Sequence, residues 1–287
     1  MKIITATNVK TVCVFVQVYN EYDELEDLVQ SLHEQSLKPT RIIIIDDGSP
    51  NPKVLREIKR LAVKYSELNI EPLRMPLKEE PDLDTLGKGL KKAWVKIKDC
   101  DYDYVSVLDV DAKLDPKYYE IITQKMELNP NIACASGALI VSIASEKYQE
   151  QINIGAKVGR KDARGTGKVI RTSLLRTIDQ TLFPDVTWDT WINTKAKIRK
   201  FKTPQIDETY FYTSRPTTRV VKRDLYRNGR LTYHFGYNPI LLLLKVILAG
   251  KGGMKILKGY WHARKEKWQL RDKEVRKYFG WRFFFHL

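Results

Sequence analysis

The stretch that decides the fold is Thr11–Ser49, TVCVFVQVYNEYDELEDLVQSLHEQSLKPTRIIIIDDGS. Its opening, TVCVFVQV, is a continuous β-branched run, the composition of a strand buried on both faces. Glu21 to Ser36 then spaces Leu25, Leu28, Val29 and Leu32 at helical intervals. Acids come early in that segment, where a helix amino terminus favours them. Pro39 closes the helix, and Arg41 to Ile45 (RIIII) is a second buried strand. Solid apolar strands alternating with helices predict an α/β fold, a mostly parallel sheet with helices on both faces.

The pattern repeats outward from that segment. Pro52 to Tyr65 and Gly87 to Lys98 read as helices, Ile70 to Leu73 and Tyr104 to Leu108 as strands. Polar clusters sit at three strand ends: Tyr19-Asn20-Glu21, Asp46-Asp47-Gly48-Ser49 and Asp109-Val110-Asp111. Ligands of open parallel sheets bind beyond the carboxyl ends of the strands, so these clusters predict one shared crevice. Further on, Ile132 to Ile143 looks like a strand pair, and Gly159 to Gly167 (GRKDARGTG) is a Gly-rich basic loop. Val186 to Lys200 reads as a helix and Gln205 to Thr213 as a strand. The expected division is a catalytic domain over 1–219 and a basic, amphipathic helical region over 220–287.

Two carboxylates one residue apart at the end of a core strand either begin a turn or hold a cation. In an extended segment Asp109 and Asp111 share one edge while Val110 faces the sheet. A hard divalent cation takes one or two such carboxylates and completes its shell with water and phosphate oxygens.

VFVQVYNEYDELEDLVQSLHEQSLKPTRIIIIDDGSPNPKV, together with LDVDA, TLGKGLKKAW, GTGKVIRTSLL and VTWDTWINTKAKIRKFKT, resembles the GT-A (Rossmann-like) glycosyltransferases of family 2. The likeness covers roughly residues 11 to 215. It implies an inverting transfer from a UDP- or GDP-linked nucleotide sugar, with Mn²⁺ or Mg²⁺ as cofactor. Asp46 or Asp47 would then accept an N–H of the base, Val18 and Tyr19 would flank its ring, and Glu21 would join the donor site. Lys88 would lie near the diphosphate, Asp109 near the ribose or metal, and Asp111 on the metal. Gly167, Arg171, Trp188 and Arg215 would face the acceptor or diphosphate. Asp189 matches the second acid of the family's acidic pair, with Trp188 in place of the first. As general base it would take the proton of an attacking hydroxyl; an N-cap role competes for the same residue. A lipid phosphate needs no base, so Asp189 favours a hydroxyl acceptor, such as a lipid-linked glycan or another carrier-bound sugar. A polyprenyl-phosphate glycosyltransferase is the alternative within the family; against it, Lys113 stands where some polyprenyl-phosphate mannosyltransferases place a metal-holding glutamine, and an ammonium has no lone pair to give.

Charge is unevenly distributed over the 287 residues. The formal net charge is +15, yet Lys195 to the carboxyl terminus holds 23 Lys and Arg against 6 Asp and Glu, +17, which leaves −2 for the rest. Such a basic segment meets something anionic. Met254, Leu257, Trp261 and Trp268 recur at helical spacing among lysines and arginines, and Tyr278 to Leu287 (YFGWRFFFHL) adds aromatics. Both point to peripheral contact with an anionic membrane; packing on a partner or on the catalytic domain is the other reading. Pro239 to Gly250 (PILLLLKVILAG) is too short to span a bilayer, which needs ~20 apolar residues, and reads as a core or interfacial helix.

Cys13, Cys100 and Cys134 form no CxxC pair and read as reduced thiols. With an amino terminus that lacks a signal-peptide core, they place the chain in the cytoplasm, on the membrane's cytoplasmic face. Three other readings compete. A sugar nucleotidyltransferase would want a glycine- and basic-rich loop after the first strand, where Tyr19-Asn20-Glu21 stands. A nucleic-acid binder would want aromatic stacking platforms, whereas the aromatics here cluster with aliphatics. A catalytically dead scaffold would not need Asp109, Asp111 and Asp189. The sequence leaves the oligomeric state open and gives no nucleic-acid partner.

Overall fold

The computed structural model describes residues 10–79, 86–141, 162–213 and 225–281. The chain divides into two compact units, Met1–Ala144 with Gly159–Arg215, and Ser145–Val158 with Pro216–Leu287.

The first unit is a mixed α/β structure built on an eight-stranded sheet in the order β3-β2-β1-β4-β7-β6-β8-β5. Strands β1 (Val12–Val18), β2 (Arg41–Asp46), β3 (Ile70–Arg74) and β4 (Tyr104–Asp109) are mutually parallel, as the apolar runs of β1, β2 and β4 predict, while β3 (IEPLR) is a partly buried edge strand. Every residue of β1 is buried, which requires cover on both faces of the sheet. Helix α1 (Leu25–His33) supplies part of that cover by burying Leu25, Leu28, Val29 and Leu32. Helix α2 (Pro52–Lys64) starts where the Asn51 side chain accepts from Lys53 N at 3.0 Å and Pro52 takes the first helical position. Helices α3 (Leu86–Ile97) and α4 (Tyr118–Leu128) complete this half.

The second half of the sheet departs from the parallel expectation. β7 (Lys168–Arg171) runs antiparallel to β4, and β6 (Cys134–Val141) antiparallel to β7. β8 (Gln205–Thr213) is parallel to β6, and β5 (Ala112–Leu114) antiparallel to β8. Of the strand pair expected over Ile132 to Ile143, the described residues form one strand with an irregularity at Gly137/Ala138, and 142–143 lie outside the described residues. Its partner β8 comes from far along the chain, a non-local pairing that local composition does not encode. Only Val110 and Asp111 separate β4 from β5, although the two strands lie four places apart in the sheet order. Such a link spans at most ~11 Å, so the sheet curls until its β5 edge returns beside β4. The two-carboxylate segment stands at that seam. Helices α5 (Thr172–Thr177) and α6 (Trp188–Ile198) lie between β7 and β8 in the chain.

The described part of the second unit is helical: α7 (Leu225–His234), α8 (Pro239–Leu248), α9 (Gly253–Lys265) and α10 (Lys273–Trp281). No described helix is long and apolar enough to cross a membrane. The stripe expected of Met254, Leu257, Trp261 and Trp268 is broken. Leu257 is half-buried, and Trp268 lies past the end of α9, its ring 4.3 Å from that of His234 and under the Arg230 guanidinium. Of the aromatic ending, residues 282–287 lie outside the described residues.

Candidate active site

Three strand ends stand level at the sheet's switch point. The chain leaves β1 toward β2 and β3, then returns to β4 on the other side of β1. Register places Val18 beside Asp46 and Gln17 beside Asp109. This is the crevice that the polar strand ends predict.

The β1 and β2 ends are stitched together by hydrogen bonds. Asp47 N donates to Val18 O at 2.9 Å, and Asn20 N donates to Ser49 Oγ at 2.9 Å. Asn20 adopts φ 59°, a left-handed conformation that asparagine tolerates. Both acids of DDGS are engaged. Asp46 is 1% exposed; its Oδ1 accepts from Ser49 N at 2.9 Å and its Oδ2 lies 3.5 Å from Arg74 Nε. Asp47 pairs with Lys78 Nζ at 2.8 Å, and Tyr19 Oη donates to Lys78 O at 3.3 Å. Asp46 Oδ2 is buried and makes no hydrogen bond, and a ligand at Asp47 must displace Lys78. Val18 is buried, contributing backbone rather than a ring-facing side chain.

The glycines of GKG serve packing. A Cβ on Gly87 would lie 2.0 Å from Pro184 O, and one on Gly89 would lie 2.7 Å from Ile45 Cγ2. Lys88 between them is exposed, with its ammonium 3.8 Å from the Asp185 carboxylate.

Negative charge gathers at the end of β4. Asp109 ends its strand with an exposed side chain, and Thr166 Oγ1 donates to its Oδ2. Protein crowding around the crevice pushes Asp109 up to about 6 against the pull of that hydrogen bond. The negative charges of Asp111, Asp189 and Glu21 add to the upward push. These three carboxylates are thus near enough to Asp109 to repel it. Asp111, half-buried, helps line a cleft of about 400 Å³ with Glu24, Asp27, Lys113, Tyr212 and Thr213.

Asp189 is not an N-cap. Thr187 occupies that position, at φ 60°, and Asp189 lies two residues further, in the first helical turn of α6. Its Oδ1 accepts a long bond, 3.4 Å, from Thr190 Oγ1. A Cβ built on Gly165 would lie 3.5 Å from its Oδ2, so the Gly-rich loop passes close beside it. The carboxylate is half-buried and faces the loop that bonds Asp109.

Beneath that loop lies Lys168, a residue that sequence reasoning passed over. Its side chain is fully buried. The ammonium donates to Ala163 O at 3.3 Å, to Asp189 O at 3.2 Å and to Asn193 Oδ1. Burial lowers its pKa, opposed by the nearby Cys134, Asp189 and Asp162. It ties the loop that carries Thr166 to the helical turn that carries Asp189. Thr166 was missed as well; a hydroxyl between two glycines, Gly165 and Gly167, was the available signal.

Three residues expected at the acceptor or diphosphate have surroundings of their own. Arg171 pairs in register with Tyr104, at the start of β4 and so at the opposite end from Asp109. There its guanidinium donates to Ile132 O at 2.9 Å, to Met126 O, and to Glu127 at 3.1 Å. Gly167, at φ +76°, is a close-approach position: a Cβ there would lie 2.5 Å from Tyr118 Oη, which donates to Gly167 O at 2.6 Å. Trp188 is buried, lining an apolar hole with Phe15, Trp94 and Ile192. Arg215 lies outside the described residues.

Asp109 and Asp111 present hard oxygen donors, and the mutual repulsion at this end of the sheet is what a bound cation would relieve. Among the described residues no three His, Cys, Asp or Glu side chains converge on one metal position. A cation here would therefore rest on those two carboxylates and on oxygens from outside the protein, a donor set that suits Mg²⁺ or Mn²⁺.

Residues 13–187 match the model of glycosyl transferase family 2, a match that stops just short of Asp189. Amylovoran biosynthesis glycosyltransferase AmsE of Erwinia amylovora is 27% identical over 129 residues, 44% of either chain, so the match spans less than half of that relative. Among solved structures, the mannosyltransferase PcManGT of Pyrobaculum calidifontis, in complex with GDP-Man and Mn²⁺, superposes with a TM-score of 0.60. It is 15% identical, over 88% of this chain and 75% of that one. S. aureus TarS 1–349 in complex with UDP-GlcNAc has a TM-score of 0.51 at 16% identity, over 89% and 73%. At such identities the likeness is one of fold, the GT-A arrangement. With the family model covering more than half of its length, the chain belongs to glycosyl transferase family 2.

Proposed function

We propose that this protein transfers a sugar from a nucleoside-diphosphate sugar to a hydroxyl acceptor, with inversion at the anomeric carbon. The observation that carries the reading is the placement of Asp189: uncommitted to capping, and close enough to Asp109 to repel it. A general base must reach the attacking hydroxyl while the leaving group sits on the other side of the sugar. The acceptor oxygen bonds to the anomeric carbon, the bond to the diphosphate oxygen breaks with its electron pair leaving on phosphate, and the hydroxyl proton goes to Asp189. A divalent cation, Mn²⁺ or Mg²⁺, would be held by Asp109 and Asp111 and would supply positive charge toward the departing diphosphate.

The donor lies across the ends of β1, β2 and β4, with Tyr19 and Asp47 on the base side and Glu21 and Lys88 bordering it. GDP-Man and UDP-GlcNAc, bound by the structural relatives, are the first donors to try. The acceptor is a lipid-linked glycan or other carrier-bound sugar, because a phosphate acceptor would give Asp189 no proton to take. The test is a thermal-shift series with UDP- and GDP-sugars, with and without Mn²⁺. A rise in Tm that requires both nucleotide sugar and metal is the expected outcome; at 100-fold excess over Kd linkage gives about 2.7 kcal/mol. No stabilisation by any nucleotide sugar would overturn the donor site.

A further inference from the structure

Helix α8 is built inside out for a helix bathed in water. Of its ten residues only Leu241 is buried. Ile240, Leu243, Leu244, Ile247 and Leu248 are between 44% and 86% exposed. They recur at i, i+3, i+4, i+7 and i+8, so they form one continuous stripe. The single charged side chain of the helix, Lys245, points the other way. Its ammonium donates to Thr232 Oγ1 at 3.0 Å and lies 4.1 Å from the centre of the Tyr237 ring. A water-facing helix puts its lysine out and its leucines in; this one does the reverse.

Past the turn Gly250–Gly252, α9 exposes apolar side chains as well: Met254 is 72% and Trp261 52% exposed. Lys251, Lys255 and Lys258 are exposed beside them. Over residues 225–281 there are 13 Lys and Arg against 3 Asp and Glu, a net of +10. An apolar stripe edged by lysines, with a tryptophan at its margin, has the composition of a surface that enters the headgroup region of a bilayer. A second copy of the chain would set like charge against like charge around the same stripe.

We propose that the α8–α9 face docks on an anionic lipid bilayer, the α8 stripe and Trp261 entering the interface and the flanking lysines meeting the headgroups. The proposal does not rest on the transfer reaction. It is tested by flotation of the full chain with vesicles of phosphatidylcholine alone and of phosphatidylcholine with phosphatidylglycerol, at low and high salt. Binding to the anionic vesicles that weakens at high salt is expected, with a blue shift of tryptophan fluorescence in the wild type that Trp261→Ala loses. Because Leu243 and Ile247 already face solvent, the double variant L243E/I247E should keep its far-UV circular dichroism and nucleotide thermal shift. Its partition onto vesicles should fall about tenfold or more. Failure of the wild type to float with either vesicle, or unchanged binding by the folded double variant, would overturn the proposal. So would a concentration-dependent dimer that the double variant abolishes, without vesicle binding.

Discussion

The end of β4 and the outer face of α8 break the usual rules of a soluble domain in opposite ways. At β4, like charges gather: Asp111, Asp189 and Glu21 all repel Asp109 at the mouth of a crevice. On α8, leucines and isoleucines face outward while the lysine is turned inward. Each arrangement costs stability as it stands and makes sense with a missing complement, cationic in one place and apolar in the other. Local conflict between a sequence and its surroundings is where function tends to be stored.

Each region also holds a lysine turned into the protein, Lys168 fully buried and Lys245 half-buried, and the two differ in their partners. Lys168 is fully buried and has three oxygen acceptors, one of them the carbonyl of Asp189. Lys245 has one hydroxyl and the face of an aromatic ring. Burial pushes Lys245 down to about 8, with no carboxylate to oppose it. A satisfied ammonium organises what surrounds it, whereas a poorly satisfied one strains the fold.

The largest effect should come from Asp189→Asn, which keeps shape and removes the base. The turnover number should fall by about 10²–10⁴, while the Tm gain from nucleotide sugar and metal persists. Full turnover in this variant with the true acceptor would remove Asp189 from the chemistry and leave the β4 end as a donor site alone.

Lys168→Met should come next, sharpening the contrast between the two lysines. It strips the donor from Ala163 O, Asp189 O and Asn193 Oδ1, and buried acceptors left without partners cost about 1–3 kcal/mol each. The Asn193 amide still donates to Ala163 O at 2.9 Å, and Cys134 Sγ still donates to Asn193 Oδ1 at 3.3 Å, which softens the loss. A lower Tm alone would suit a purely structural lysine. A positioning role for Asp189 and Thr166 predicts more: a lower kcat at a temperature where the variant is folded, with an unchanged KM for the donor. Unaltered kcat under those conditions would reduce Lys168 to a core residue.

These two lysines also show how far sequence carries. The parallel half of the sheet was legible because β1, β2 and β4 are largely apolar runs and the helices between the strands are amphipathic, so period and composition agree. The crevice was legible for the same reason, since parallel strands point their carboxyl ends one way. Beyond β4 the order depends on pairings between distant segments, such as β6 with β8, and on a curl imposed by the two-residue link to β5. Neither leaves a local trace. Arg171 and Trp188 were misplaced because a motif match gives a residue's address along the chain and not the direction it faces. Lys168 was missed because nothing in GTGKVIR distinguishes a lysine packed under a loop from one in solvent. On α8 the composition was plain, but only the fold tells which side of PILLLLKVIL is outward.

The smallest effect is also the most direct check on the inward lysine of α8. Lys245→Met replaces a poorly paired ammonium by an apolar chain of similar length. Thr232 Oγ1 keeps a partner, because it donates to Asn228 O at 2.8 Å. The folded-state value of Lys245, about 8, lies below the free value of 10.5, so the unfolded chain binds the proton more tightly. The wild type therefore loses stability as pH falls from 10.5 to about 8 and regains none below it. At neutral pH the variant should be more stable by about 1–2 kcal/mol, less than the full linkage value because the ammonium keeps one hydrogen bond and a ring contact. The difference in Tm between variant and wild type should shrink as pH rises through 8 toward 10.5. A variant that is less stable than the wild type at pH 7, with no such trend, would mean that the Tyr237 face and Thr232 satisfy the ammonium as fully as the three oxygens satisfy Lys168. The two lysines would then be alike, and the inward turn of Lys245 would be ordinary packing rather than the cost of keeping the outer face of α8 free of charge.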